Sequence, residues 1–236
     1  MTVVVPEHEA GARHAHALAA LREAEQRTAG LPADGRAWPV HPALSRLLPG
    51  GVLRGGGTLA VRGSTSLLLA LLAAPSQEGA WVAFVGAPAV GMLAAADVGV
   101  VLERTALVPR PGPDAPAVVA ALLDGMDVVV TGPRAALTDA DRRRLAARAR
   151  ERGALLASTT AWPGAHVTLD ARGGSWAGVD AGAGWLRRRT LSVLRTGRGA
   201  AARPVEIDVE VPTVVEPPAP TSEVGSETGP HLRVVA

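Results

Sequence analysis

Five short, almost wholly apolar runs, set apart by helix-like segments, constrain this chain more than any other feature. They are Thr58–Val61, Trp81–Val85, Ala106–Val108, Val128–Val130 and Ala154–Ser158. Their apolar residues follow one another instead of alternating, as in strands covered on both faces. The stretches between them read as helices. Ser66–Ala74 (SLLLALLAA) is apolar nearly all round, so it is expected to be buried. Ala89–Val98 is a short helix, and Asp114–Asp124 a longer one with Gly125 placed as its C-terminal cap. Thr138-Asp-Ala-Asp141 has the spacing of a capping box opening a helix to Arg152, which Gly153 ends. Such alternation implies an α/β fold, a mostly parallel sheet with helices on both faces.

The flanks differ. After residue 160, Val167–Asp170, Thr190–Arg195 and Val205–Val211 are strand-like without helices between them, and are expected as antiparallel additions at the sheet edge. Residues 7–28 form an Ala-rich amphipathic helix whose narrow apolar face carries Leu18 and Leu21, a candidate interaction helix. A linker follows, with Pro32, Gly35, Pro39 and Pro42. The expected division is 1–38 for helix and linker, 39–211 for the core and 212–236 for a tail rich in Pro, Glu, Ser and Thr, read as disordered. That tail ends in a small apolar motif, Leu232, Val234 and Val235, able to add a strand or fill a groove. The N-terminal residues do not read as a signal peptide and no run is apolar enough to span a membrane, so the expected location is the cytoplasm.

Composition narrows the chemistry. All 24 basic residues are arginine, set against 22 acids for a net charge of +2, and lysine, cysteine and tyrosine are absent. A Schiff-base lysine, a cysteine nucleophile, a thiolate metal site and a phosphate-loop lysine are therefore excluded. A nucleotide site would open between the first strand and helix, where G-x-x-x-x-G-K-[ST] would circle a phosphate. The sequence there is Val61-Arg62-Gly63-Ser64-Thr65-Ser66-Leu67, a turn too short for the task, without the second glycine or the lysine. Gly63, Ser64, Thr65 and Ser66 make a vestigial loop, and its plainer reading is a helix N-cap. The strand ends that should carry acids for Mg²⁺ and water read Gly86-Ala87-Pro88 and Thr131-Gly132-Pro133. His14 and His16 face apart on their helix, and His166 reads as structural. The chain is thus expected to have no catalytic residues, no cofactor and no metal.

One positive signal is a charge asymmetry. Arg187, Arg188, Arg189, Arg195, Arg198 and Arg203 fall in a stretch without acids, and six acids with one arginine follow from 204 to 236. A basic hairpin loop, Thr196–Pro204, is a candidate contact for an acidic partner or nucleic acid. A second cluster, Arg142–Arg152, decorates a helix whose inward face is Leu145, Ala146 and Ala149, and reads as a solvated face.

From Val40 to Val130 the order and spacing of segments resemble the RecA recombinase core. Leu44–Gly57 (LSRLLPGGVLRGGG) is similar to the segment leading into that family's first strand, Trp81–Pro88 to its second, and Pro113–Thr131 to its Walker B region. The closing LSVLRTGRG and VEIDV resemble its last hairpin. A short RecA-like chain with these losses, an N-terminal helix and a Pro-rich tail is similar to the actinobacterial ImuA-prime family. That resemblance implies a non-catalytic, RecA-like adaptor of the DNA-damage-induced mutasome, acting in error-prone translesion synthesis. Its partners would be an ImuB-like polymerase homologue and an error-prone C-family polymerase, with RecA or a second copy as further candidates, and its place the nucleoid during DNA damage. Two alternatives stand beside it: a RecA paralogue binding single-stranded DNA through Arg187–Arg203, and a protein holding ATP as a structural ligand at Gly63–Ser66.

Overall fold

A computed structural model describes residues 36–180 and 183–212, with side chains described outside 176–188. The expected N-terminal helix with Leu18 and Leu21, and the tail motif Leu232, Val234 and Val235, lie outside the described residues.

The core is a mixed α/β structure around an eight-stranded sheet. Its strands are β3 (Thr58–Arg62), β4 (Val82–Val85), β5 (Thr105–Val108), β6 (Val128–Thr131), β7 (Leu155–Ser158), β8 (Val167–Asp180), β9 (Ala183–Gly197) and β10 (Val205–Pro212). They lie in the order β10-β9-β8-β3-β7-β6-β4-β5. All neighbours from β8 to β5 pair parallel, while β9 is antiparallel to both β8 and β10. The expected antiparallel edge is thus present, except that β8 also extends the parallel sheet against β3. The structure adds β1 (Ala37–Pro39) and β2 (Val52–Arg54), an antiparallel pair with Trp38 opposite Leu53. Both tryptophan and leucine are buried, so part of the Pro-rich linker belongs to the core.

Four helices cover the sheet: α1 (Thr65–Gln77), α2 (Met92–Asp97), α3 (Ala115–Leu123) and α4 (Asp139–Arg152). The chain moves from β3 through α1 to β4, then through α2 to β5, in one direction across the sheet; α3 and α4 return it through β6 to β7. Right-handed crossovers require helices on outward and return journeys to lie on opposite faces. The core obeys this. Leu67–Ala73 of α1 and Ala95 of α2 pack in one apolar cluster with Phe84, Val130 and Leu169. Val119 and Leu123 of α3 join Leu145 and Ala149 of α4 in another, against Val85, Val129 and Leu156.

Local signals set the helix ends. Ser64 accepts from the Leu67 amide at 3.1 Å and caps α1. Thr138 and Asp141 form the reciprocal capping box of α4, and Gly153 closes it at φ 68°. Gly125 departs from expectation: Asp124 takes the cap position of α3 in a right-handed conformation, and Gly125 does not use a positive φ. His166, read from the sequence as structural, is buried at 5% exposed. The Thr58 amide donates to its Nδ1 at 3.0 Å, which places the ring proton on Nε2.

Hydrogen bonds from the Thr138 hydroxyl and amide, then the Arg144 guanidinium, lower the Asp141 pKa from 3.8 to about 2. A carboxyl held below its ordinary value stabilises the fold fully above about pH 4, and that contribution fades as pH falls toward the folded value. Urea unfolding should therefore find Asp141→Asn less stable than wild type at neutral pH, with the gap closing between about pH 4 and 2. A gap constant across that window would rule out the carboxylate as its source.

Candidate functional site

In a sheet of this kind, ligands sit beyond the carboxyl ends of the strands. Those ends are closed by backbone. Gly86, at φ 63°, follows β4, and a Cβ there would lie 2.3 Å from the Ala135 nitrogen. Gly132 follows β6, and a Cβ there would lie 2.4 Å from both the Ala87 Cα and the Gly86 oxygen. The Gly132 amide donates to Val85 O at 2.9 Å and the Arg134 amide to Gly86 O at 2.9 Å, so the two turns are stitched together. Neither glycine could be an acid without parting them. Thr131 is 2% exposed and its hydroxyl donates to Ala157 O at 3.2 Å, so this side chain serves the adjacent strand.

The vestigial loop is closed as well. Only Gly63 and Ser64 separate β3 from α1. Gly63, at φ 79°, presses on β8: a Cβ would meet Ala171 O at 2.1 Å. Ser64 is buried and spends its hydroxyl on the cap. Ser66 accepts from Arg189 Nη1 at 3.3 Å. Arg62 pairs with Asp170 at 2.6 Å beside the turn. The loop therefore has the geometry of the N-cap expected on the plainer reading, with Thr65 as the first helical residue. Among the described residues, no group of three or more His, Cys, Asp or Glu side chains could hold a metal, and no helix is long and apolar enough to cross a membrane.

The candidate arginines are dispersed. In the β9–β10 register Arg189 faces Val211 and Arg195 faces Val205, so both lie on the α1 side of the sheet. There Arg195 Nη1 donates to Arg46 O at 3.2 Å. Glu206, Asp208 and Glu210 alternate with Val209 and Val211, and so project from the opposite face. Arg198 and Arg203 are exposed in the connection between the two strands, as the sequence implied. The side chains of Arg187 and Arg188 are not among those described. Sequence reasoning had no access to this sorting, because it depends on register rather than composition.

These features define a three-layer α/β protein in which the turns after β4 and β6 meet backbone to backbone and the turn after β3 is a two-residue helix cap. The family model of the MT3502 N-terminal domain matches residues 46–164, half of the 236-residue chain, and the chain belongs to that family. The match runs from before β2 to just beyond β7 and leaves out β8, β9 and β10. A relative from Mycobacterium tuberculosis, the uncharacterized protein Rv3395c, is 43% identical over 119 residues, covering 49% of this chain and 58% of that protein. The aligned part thus spans little more than half of the relative's length.

The two turns give a direct test. Gly132→Ala should destabilise the fold by about 1–3 kcal/mol through overpacking. Gly125→Ala, in open space at an ordinary φ, should be neutral or stabilising by up to about 1 kcal/mol. Equal urea midpoints for both variants would show that the turns are not in forced contact.

Proposed function

We propose that this chain is a non-catalytic, RecA-like adaptor that works by binding other proteins. The observation that carries this reading is the closure of the carboxyl-end crevice at Gly63, Gly86 and Gly132. An ATPase needs a phosphate cradle and two carboxylates there, and a Cβ at Gly86 or Gly132 would already lie within 2.4 Å of backbone. The same glycine contacts argue against ATP as a structural ligand.

A second feature supports a protein-binding role. Trp81, Leu93, Leu102 and Leu107 are large apolar side chains left 46%, 77%, 39% and 47% exposed, all on the segments around β4 and β5. β5 ends the sheet, so its outer backbone groups are open to pairing with a strand from a partner. In the finer reading, suggested by the resemblance to the ImuA-prime family, the partner is an ImuB-like polymerase homologue within a mutasome that includes an error-prone C-family polymerase. The M. tuberculosis relative is uncharacterized, so the support for this partner is the pattern of RecA-like segments and losses.

Two measurements test the proposal. Calorimetry with ATP and Mg²⁺ should show no binding, and a Kd tighter than about 100 µM would overturn the non-catalytic reading. Binding of the full chain to a purified ImuB-like protein should weaken at least about tenfold in Leu93→Asp/Leu107→Asp, whose substitutions fall on exposed positions. Unchanged affinity would remove this surface from the interface, and no affinity in the wild type would remove the partner.

A further inference from the structure

The arginines of α4 divide by face. Arg144, Arg148 and Arg152 recur every four residues, and each holds a carboxylate: Asp141 for the first, Asp124 for the other two. Arg148 grips Asp124 with two nitrogens, and this pairing lowers the Asp124 pKa. Arg143 and Arg150, seven apart on the other side, form no ion pair with any described residue. The same helix thus neutralises its cations on one face and leaves them open on the other.

The open face is one wall of a groove of about 360 Å³. Arg142, Arg143 and Arg150 line it from α4; Trp162 and Gly164 line it from the loop after β7, and Arg198 from the β9–β10 connection. Arg198 is held in place by backbone. Its amide donates to His166 O at 3.0 Å, and the preceding Gly197 lies so close that a Cβ would fall 2.2 Å from that same oxygen. Its guanidinium lies against Gly164. Asp139 is the sole carboxylate lining the groove, and Arg142 takes it at 3.0 Å. Four guanidiniums against one carboxylate leave an excess of three positive charges in the groove's lining. Arg142 also carries a buried Nε with no partner.

We propose that this groove binds the phosphodiester backbone of a single-stranded nucleic acid. Arg143 and Arg150 stand about 10 Å apart along the helix axis, at 1.5 Å per residue. A stacked strand presents a phosphate roughly every 3.4 Å, so about three fall within that span. An extended acidic peptide presents same-side carboxylates only about every 6.6 Å and offers half the charge density. Guanidinium forks suit phosphate oxygens. Trp162 is 7% exposed and carries the Arg142 guanidinium 5.8 Å from its ring centroid, so it offers no platform for a base. Recognition is therefore through phosphates alone and indifferent to sequence. Of the arginines between 187 and 203 whose side chains are described, only Arg198 lines the groove. The inference does not rest on the adaptor reading.

Fluorescence anisotropy of the full chain with a labelled single-stranded oligonucleotide of mixed sequence tests this. The logarithm of affinity should fall against the logarithm of salt with a slope of about −2, three phosphates at roughly 0.7 each. Arg143→Gln/Arg150→Gln, at exposed positions without partners, should fold normally, bind about tenfold more weakly and flatten the slope to about −0.7. Arg144→Gln/Arg148→Gln, on the neutralised face, should bind as the wild type does. Absence of binding at low salt, equal loss in both double variants, or displacement of the oligonucleotide by polyglutamate at equal charge would each overturn the proposal.

Discussion

The rest of the structure depends on a contact between two backbones. The turns after β4 and β6 meet at Gly86 and Gly132 with no side chain between them, and two amides cross from one turn to the other. Interiors pack at near-crystalline density, so a gap of this kind is either filled or absent. A carboxylate at either position would force the turns apart, and the buried ends of β4 and β6 with them. The close approach of the turns and the absence of a side chain at Gly86 and Gly132 are therefore one fact in physical terms.

The first turn reached the same state by a different route. A nucleotide loop holds phosphate by leaving helix amides and a cation unsatisfied until the ligand arrives. Here Ser64 satisfies the Leu67 amide, and Asp170 takes Arg62. Both groups find partners inside the chain, so a phosphate would have to displace existing bonds instead of completing missing ones. Such pairing serves stability more than binding, because the Leu67 amide and Arg62 already have partners.

Much of this was legible in the sequence where one local rule decided the matter. Continuous apolar runs fixed the parallel strands, the Thr138–Asp141 spacing fixed the start of α4, and Gly153 its end. Rules about neighbours were less visible. β1 reads as linker because three residues beside prolines show no period, and only its pairing with β2 buries Trp38. The outer halves of β8 and β9 pass through ARGGSWAGVD and AGW, where glycine hides the alternation and the partner strand sets the conformation. Gly63 and Gly132 look like ordinary turn glycines until the atoms they touch are known. The arginines show the same limit: composition made 187–203 conspicuous and α4 bland, whereas the sorting of Arg189 and Arg195 to the α1 side and the lack of ion pairs at Arg143 and Arg150 depend on register and neighbours.

The boundary of the family match gives that last point a further consequence. Residues 46–164 contain α4, Trp162 and Gly164, but not Arg198. Arg198 follows directly after β9, whose end reaches the groove because β8 pairs in parallel with β3 and β9 folds back on β8. The His166 carbonyl, just past the matched segment, then accepts the Arg198 amide. So the basic wall on α4 is built within the matched region, and the facing cation depends on the three-strand extension. A domain cut at residue 164 would keep three of the four guanidiniums but open the groove on its far side. The extension is thus not only a lid for the α1 core through Val209 and Val211; it also turns a charged helix face into a cleft with two sides.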